Sequence, residues 1–270
     1  MLIYASSRQN NISLNDTFLL GFKCKLIYLN VMYNAIGRRK ISMQINNCRM
    51  KKILIGFCLC GFIFSNVLAQ EVKIKAIPYL MHFENKPKNF QVIDDTKLIF
   101  SASENTDLFI SPDGGYEINK SPRLIFKPDS DFIFTSKIEL EFKSKWDAGV
   151  LLIYNDNNHF AKFCFESDFK GQPRVVTVVC NTTADDCNSI SIDKDEVYYR
   201  IIGSTKKNTF NFYCSADGIS WFPIRSFKLD KTDNLSIGFS AQSPTGKECK
   251  VLFSNIDLQQ RKAIDFWQGN

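Results

Sequence analysis

In the stretch KFCFE, Lys162, Cys164 and Glu166 alternate with Ala161, Phe163 and Phe165. Side chains two apart on a strand share a face, so an ammonium, a thiol and a carboxylate project from one side. Such a set is either an exposed ion pair of small energetic value or the lining of a polar groove, and spacing alone leaves both open. Glu139 and Glu141 in DFIFTSKIELEF also share a face. Two residues of rise put their Cα atoms about 7 Å apart, a permissive spacing for the paired acids of glycoside hydrolysis. Glu139, Glu141 and Glu166 are therefore the weak catalytic candidates.

Against them, the laminarinase type of glycosidase uses Glu-x-Asp-x-x-Glu on such a strand, and ELEFKS has neither the middle Asp nor the third acid in place. A solvated sheet face is the simpler reading of Glu139 and Glu141. Nucleophilic catalysis has little to work with. There is no Gly-x-Ser-x-Gly elbow or phosphate-cradling glycine loop, and the two histidines are His82 and His159.

Metal chemistry is equally sparse. The segment YNDNNHF, residues 154–160, is rich enough in carboxylate and amide oxygens for calcium; otherwise no cofactor is expected. Five of the nine cysteines follow residue 70: Cys164, Cys180, Cys187, Cys214 and Cys249. Cys180 and Cys187 bracket the polar loop CNTTADDC and are the candidate disulfide pair. Their spacing is too wide for a usual zinc site.

These residues need elements to hold them. From Lys97 on, short runs rich in Phe, Ile, Val and Tyr recur every 8–15 residues or so between polar or glycine-containing turns, the pattern of an antiparallel sandwich or barrel. In DFIFTSKIELEF, Phe132, Phe134, Ser136, Ile138, Leu140 and Phe142 take one face, and Ile133, Thr135, Lys137, Glu139 and Glu141 the other. Asp217-Gly218 in SADGISW predicts a hairpin turn, with Trp221 packed beside it. The single weak helical candidate is LQQRKAIDFWQ at the C-terminus. The fold class expected is all-β.

Placement in the cell is encoded near residue 50. From Met50, Lys51-Lys52 precede an uncharged run, Ile53–Phe64, then Val67-Leu68-Ala69, the layout of a secretory signal peptide cleaved after Ala69. The run is too short for a bilayer span, which needs roughly 20 residues. Residues 1–49 are then a mis-assigned upstream extension, 50–69 the signal, and 70–270 one domain, secreted or periplasmic. Nine of the 34 Lys and Arg lie at or before Lys52, leaving 25 basic and 27 acidic side chains from Gln70 onward. That balance argues against nucleic-acid binding through phosphate neutralisation. No stable membrane span remains after cleavage.

The block from Asp129 to Leu258 resembles the family called domain of unknown function 1349, whose fungal member is named a regulator of enolase. The resemblance is carried by DFIFTSKIEL, WDAGVLLIYNDNNHFAKFCFES, GQPRVVTVVCN, YYRIIGS, FYCSADGISWFPIR, IGFSAQSP and KVLFSNIDL, in order, over roughly 130 residues. It implies the concanavalin A-like lectin and glucanase fold, a two-sheet antiparallel jelly-roll sandwich. The family's Asp-x-Ala-Gly piece falls on Asp147, Ala148 and Gly149, with the middle residue missing. Its Lys-x-Gly-x-Glu piece falls on Lys162, Cys164 and Glu166, with Cys replacing Gly. A Thr, an Arg and a Trp of the family's pattern are lost around Cys180 and Cys187, which supports a staple there.

The resulting expectation is an exported, non-catalytic, carbohydrate-binding sandwich. Asp147, Lys162 and Glu166 would bond hydroxyls, and Trp146, Tyr199 or Trp221 would stack on a sugar face. The alternatives are a glycoside hydrolase using Glu166 with Glu139 or Glu141 as its paired carboxylates, and a protein-interaction module.

Overall fold

The structure, a computed structural model, describes residues 71–270. The segments 1–49 and 50–69, with the expected signal peptide, lie outside the described residues. Among the described residues all regular elements are strands, in two large antiparallel sheets and one small hairpin. The first sheet runs, edge to edge, β1 (Glu71–Ile74), β2 (Ile77–Glu84), β7 (Arg123–Phe126), β16 (Ser236–Gln242), β9 (Ala148–Asp156), β10 (His159–Ser167), β11 (Pro173–Asn181) and β12 (Thr183–Ser191). The second runs β15 (Phe222–Lys228), β14 (Thr209–Ser215), β13 (Glu196–Ser204), β8 (Phe132–Leu140), β17 (Glu248–Gln259), β4 (Lys97–Ser103) and β3 (Asn89–Asp94). The hairpin pairs β5 (Leu108–Ile110) with β6 (Glu117–Asn119).

Period-two patterning dictates the sandwich. On β8, Phe132, Phe134, Ile138 and Leu140 enter the core between the sheets, while Glu139 and Lys137 face out. On β10, Ala161, Phe163 and Phe165 enter the same core. Phe163 is its centre: its ring stacks on Tyr199 at 3.7 Å and on Phe212 at 4.5 Å, both from the opposite sheet. Burial of such rings supplies the main drive for packing two sheets face to face.

A second apolar cluster lies on the other face of the first sheet. Ala148, Val150 and Leu152 of β9, Phe160 and Cys164 of β10, and Val176, Val178 and Cys180 of β11 all belong to it. Leu108, Phe109 and Ile110 of the β5–β6 hairpin pack against it. The central strands are thus apolar on both faces, and β9 is buried along all but its last residue.

Two local expectations change. Residues 183–191 form edge strand β12, with Thr182 at φ 76° in the tight turn before it, so the strand takes in much of the polar loop expected over residues 180–187. The C-terminal LQQRKAIDFWQ is no helix. Leu258 and Gln259 finish β17, and the rest folds back in turns, with Arg200 donating to the Gly269 carbonyl and the Tyr213 hydroxyl to that of Phe266. At SADGISW, Gly218 takes φ 75°, and Asp217 accepts hydrogen bonds from the Ile219 and Ser220 amides, so side-chain capping shapes this loop.

Candidate functional site

Strand β10 lies in unbroken register with β11 from His159 to Ser167, and Lys162 and Glu166 point to the outer face of the first sheet. The hairpin covers part of that face, and a cavity of about 470 Å³ remains between them. This is the size of a small-molecule site. Its floor is Lys162, Glu166, Val176 and Val178; its walls and rim include Asp107, Gln242, Phe109, Tyr116, Trp146 and Asp186.

A polar network organises the floor. The Lys162 ammonium donates to Asp107 Oδ1 at 2.9 Å and to Gln242 Oε1 at 3.0 Å. Gln242 Nε2 in turn donates to the Trp146 carbonyl at 3.2 Å and to Glu166 Oε2 at 3.3 Å. Asp107 is itself held by the chain entering the hairpin, since its Oδ1 accepts from the Leu108 amide at 2.7 Å. Lys162 also lies 5.7 Å from the Phe109 ring centroid. Three distant segments, 107, 162–166 and 242, are therefore tied at one point.

Burial and charge perturb these groups in opposite directions. Removal from water pushes the Glu166 carboxyl up to about 8; Lys162 opposes this, and Asp107 and Asp186 reinforce it. Burial also works against the Lys162 charge, but the surrounding negative groups, Asp107 first, outweigh it and hold the ammonium above its ordinary value. The Cys164 thiol between them is buried and pushed well up, so it is a packing group and not a nucleophile. Asp186, at the rim, is also raised by lost solvation.

Of the residues singled out in the sequence, Trp146, Lys162 and Glu166 meet in this cavity. Trp146 is 41% exposed and sits at φ 64°, a strained position for a bulky residue. Its neighbour does not join it. Asp147 is fully buried, and its carboxylate accepts from the Ser144 amide at 2.9 Å and the Ser243 hydroxyl at 2.7 Å. It locks the turn that carries Trp146.

The remaining candidates lie elsewhere. Tyr199 is sealed between the sheets, stacked on Phe163 and donating to the Cys164 carbonyl at 2.8 Å, so it has no free ring face. Trp221 packs on the outer face of the second sheet under the Arg200 guanidinium, 3.8 Å from its ring. Glu139 and Glu141 line a separate hollow on that second sheet. The sandwich stands between them and Glu166, so the proposed pairing of either with Glu166 is not formed.

Cys180 and Cys187 are both free thiols. Cys180 opposes Ala184 and Cys187 opposes Thr177 in the β11–β12 ladder. Three residue steps, about 10 Å of rise, separate them, beyond the Cα range of a disulfide. Being an odd number of steps apart, they also face opposite ways. In YNDNNHF, Asp156 is engaged by His159 at 2.8 Å, the Asn158 amide at 2.9 Å and Lys231 at 3.1 Å, which hold its carboxyl low. Two of those partners are basic side chains on the oxygens calcium would use. Among the described residues, no group of three or more His, Cys, Asp or Glu is placed to hold a metal ion, and no helix is long and apolar enough to cross a membrane.

Asp107, Phe109, Tyr116, Asp186 and Gln242 were not anticipated. Asp186 and Gln242 reach the cavity only through strand pairing, which places Asp186 beside Val178 and Gln242 beside Ala148, and the hairpin residues only through its packing on the sheet.

Fold and site together define an all-β, two-sheet antiparallel sandwich with a ligand-sized, partly charged cavity on the outside of one sheet. The chain belongs to the family described as Protein of unknown function (DUF1349), whose profile matches residues 83–261. No curated protein matches the sequence. Among solved structures, a functionally unknown protein from Saccharomyces cerevisiae is similar at 20% identity and TM-score 0.62, over 68% of this chain and 97% of that one. The GH43 protein BlXynB from Bacillus licheniformis is similar at 12% identity and TM-score 0.54, over 67% of this chain and 37% of that one. A bifunctional GH43-CE protein of Bacteroides eggerthii gives 12% and 0.55, over 70% of this chain and 24% of that one. At such identities the likeness is one of fold, on which many sites are built.

Proposed function

We propose that this protein is a non-catalytic carbohydrate-binding module whose ligand enters the Lys162–Glu166 cavity. One observation carries the reading: a network of buried, pre-organised polar groups, Lys162, Glu166, Asp107 and Gln242, shares the cavity with three aromatic side chains, Phe109, Tyr116 and Trp146. Sugars need both, hydrogen-bonding groups for hydroxyls and flat apolar faces for ring C–H surfaces. The sequence of residues 50–69 supports export to the periplasm or medium, where glycans are met; mass spectrometry of the mature N-terminus tests that part. For the site, the test is glycan-array binding by the wild type and by a Tyr116→Ala, Trp146→Ala variant, both positions being exposed enough to change without unfolding the chain. Binding that the variant loses supports the site; binding left intact, or no glycan bound by the wild type, overturns it.

A second reading, glycoside hydrolysis, is favoured by Glu166 alone. A carboxyl held up to about 8 is protonated at neutral pH, as a general acid must be, and Asp186 lies in the same cavity. Release of reducing sugar from a glycan panel, abolished by Glu166→Gln, would establish it; no release from any bound glycan leaves the binding reading.

A further inference from the structure

Glu166 is a buried carboxyl without a cation of its own. It is 8% exposed, and the bases beside it on β10 and β11 are committed elsewhere. Lys162 donates to Asp107 and Gln242, and Arg174, opposite Glu166 in the strand register, donates to Asp168 and the Ser189 carbonyl. An unpaired carboxylate is costly in such a place, so the group is held as the acid. Gln242 decides which oxygen carries the proton. Its Oε1 must face Lys162, which can only donate, so its Nε2 is the atom 3.3 Å from Glu166 Oε2. Glu166 Oε2 is thereby the acceptor and Oε1 the hydroxyl. Oε1 has no partner among the described residues and is not one of their sealed unpaired atoms, so it opens on the cavity that Glu166 lines.

We propose that Glu166 holds the ligand as a hydrogen-bond donor, its Oε1–H directed at an acceptor oxygen of an uncharged sugar, so that ionising this one carboxyl releases the ligand. The inference rests on the carbohydrate reading and deepens it. A sugar that fills the cavity displaces the water on which an ionised Glu166 would depend, whereas the un-ionised acid loses nothing by being covered. Binding therefore selects the protonated form and is lost as pH rises past the Glu166 value of about 8. The charged or titratable groups facing Glu166 are Lys162 and Cys164 of β10, Asp107 and Tyr116 of the hairpin segment, Asp168 and Arg174 around β11, and Asp186 of β12. Lys162, Cys164 and Tyr116 are held above their ordinary values and Asp168 below its own.

The experiment is calorimetry with three uncharged probes, a cello-oligosaccharide, a xylo-oligosaccharide and an N-acetylglucosamine oligomer, in steps from near pH 6 to about pH 9.5, with circular dichroism confirming the native sandwich at each step. For whichever probe binds, wild-type affinity should hold level below neutrality and fall about tenfold or more by the last step, as the competent fraction shrinks. Glu166→Gln carries an N–H donor that does not ionise, and its affinity should change by less than about twofold over the same range. Wild-type affinity that stays level overturns the donor role and keeps the carbohydrate site. The same decline in Glu166→Gln as in the wild type, or no binding by that variant at any pH, also overturns it, because the release then belongs to another group or the donor is not what the ligand meets. Binding of no probe by the wild type at any pH removes both readings.

Discussion

The Lys162 ammonium lies 2.9 Å from the Asp107 carboxylate, across 55 residues of sequence, with side-chain exposures of 4% and 12%. This pair joins the β5–β6 hairpin to strand β10 and sets the depth of the cavity. Breaking one side leaves the other buried and uncompensated. Lys162→Ala should therefore cost about 3–5 kcal/mol in urea unfolding, and adding Asp107→Ala should restore part of it. A loss below about 1 kcal/mol would show the pair to be better solvated than its burial implies.

Glu166 should make stability fall as pH rises. Its folded-state value, up to about 8, lies above the ordinary 4.5, so the folded protein holds a proton that the unfolded chain releases. Stabilisation is fully present below pH 4.5 and is lost progressively as pH rises toward 8. Glu166→Gln, which cannot ionise, should flatten that decline. Its melting temperature should rise above wild type at pH 8, by about 2–4 °C for each kcal/mol recovered, and the two should converge near pH 4. Parallel curves at all pH values would refute the assignment.

Asp147 positions Trp146 without touching ligand. Asp147→Ala removes the acceptor of the Ser144 amide and the Ser243 hydroxyl, at an expected cost of about 1–3 kcal/mol. Hydrogen exchange should accelerate at residues 143–147, and Trp146 fluorescence should shift toward that of a solvated indole. An unchanged exchange pattern would remove the positioning role.

No disulfide forms between Cys180 and Cys187. Thiol titration of the native protein should modify exposed Cys187 quickly and buried Cys180 only on unfolding. Reductant should leave the melting temperature unchanged. A melting temperature lowered by reductant would contradict the β11–β12 register.

Gly238 allows β16 to pass β7 closely. A Cβ there would overlap the Leu124 carbonyl oxygen and stand 3.0 Å from the Ile125 Cα. Backbone atoms of a paired strand cannot step aside, so Gly238→Ala should destabilise by about 2 kcal/mol or more. Gly171→Ala, where nothing lies within 4 Å but φ is +82°, should cost only the backbone strain, about 1 kcal/mol. Equal losses would show that packing at Gly238 is not the constraint.

Strand content, the two-faced pattern of β8 and the shared face of Lys162 and Glu166 were legible in the residues alone. Each is a consequence of period two, a property of the extended backbone that needs no distant partner. The Cys180–Cys187 staple failed for a related reason: a segment rich in Thr, Asp and Asn was taken as a loop, yet pairing with β11 made it an edge strand, where polar side chains are tolerated because one edge and one face meet water. Tyr199 and Trp221 were misplaced because aromatic identity says nothing about which side of which sheet a ring occupies.

What the sequence determined by itself was the all-β class and the co-facial pair on β10. Tertiary structure decided that this pair lies on the outer face beneath a hairpin, that Asp107 and Gln242 complete it, and that Glu139 and Glu141 stand behind the opposite sheet. Local alternation settles which side chains share a face; only the order of strands in the sheets, through contacts between segments tens of residues apart, settles what that face confronts.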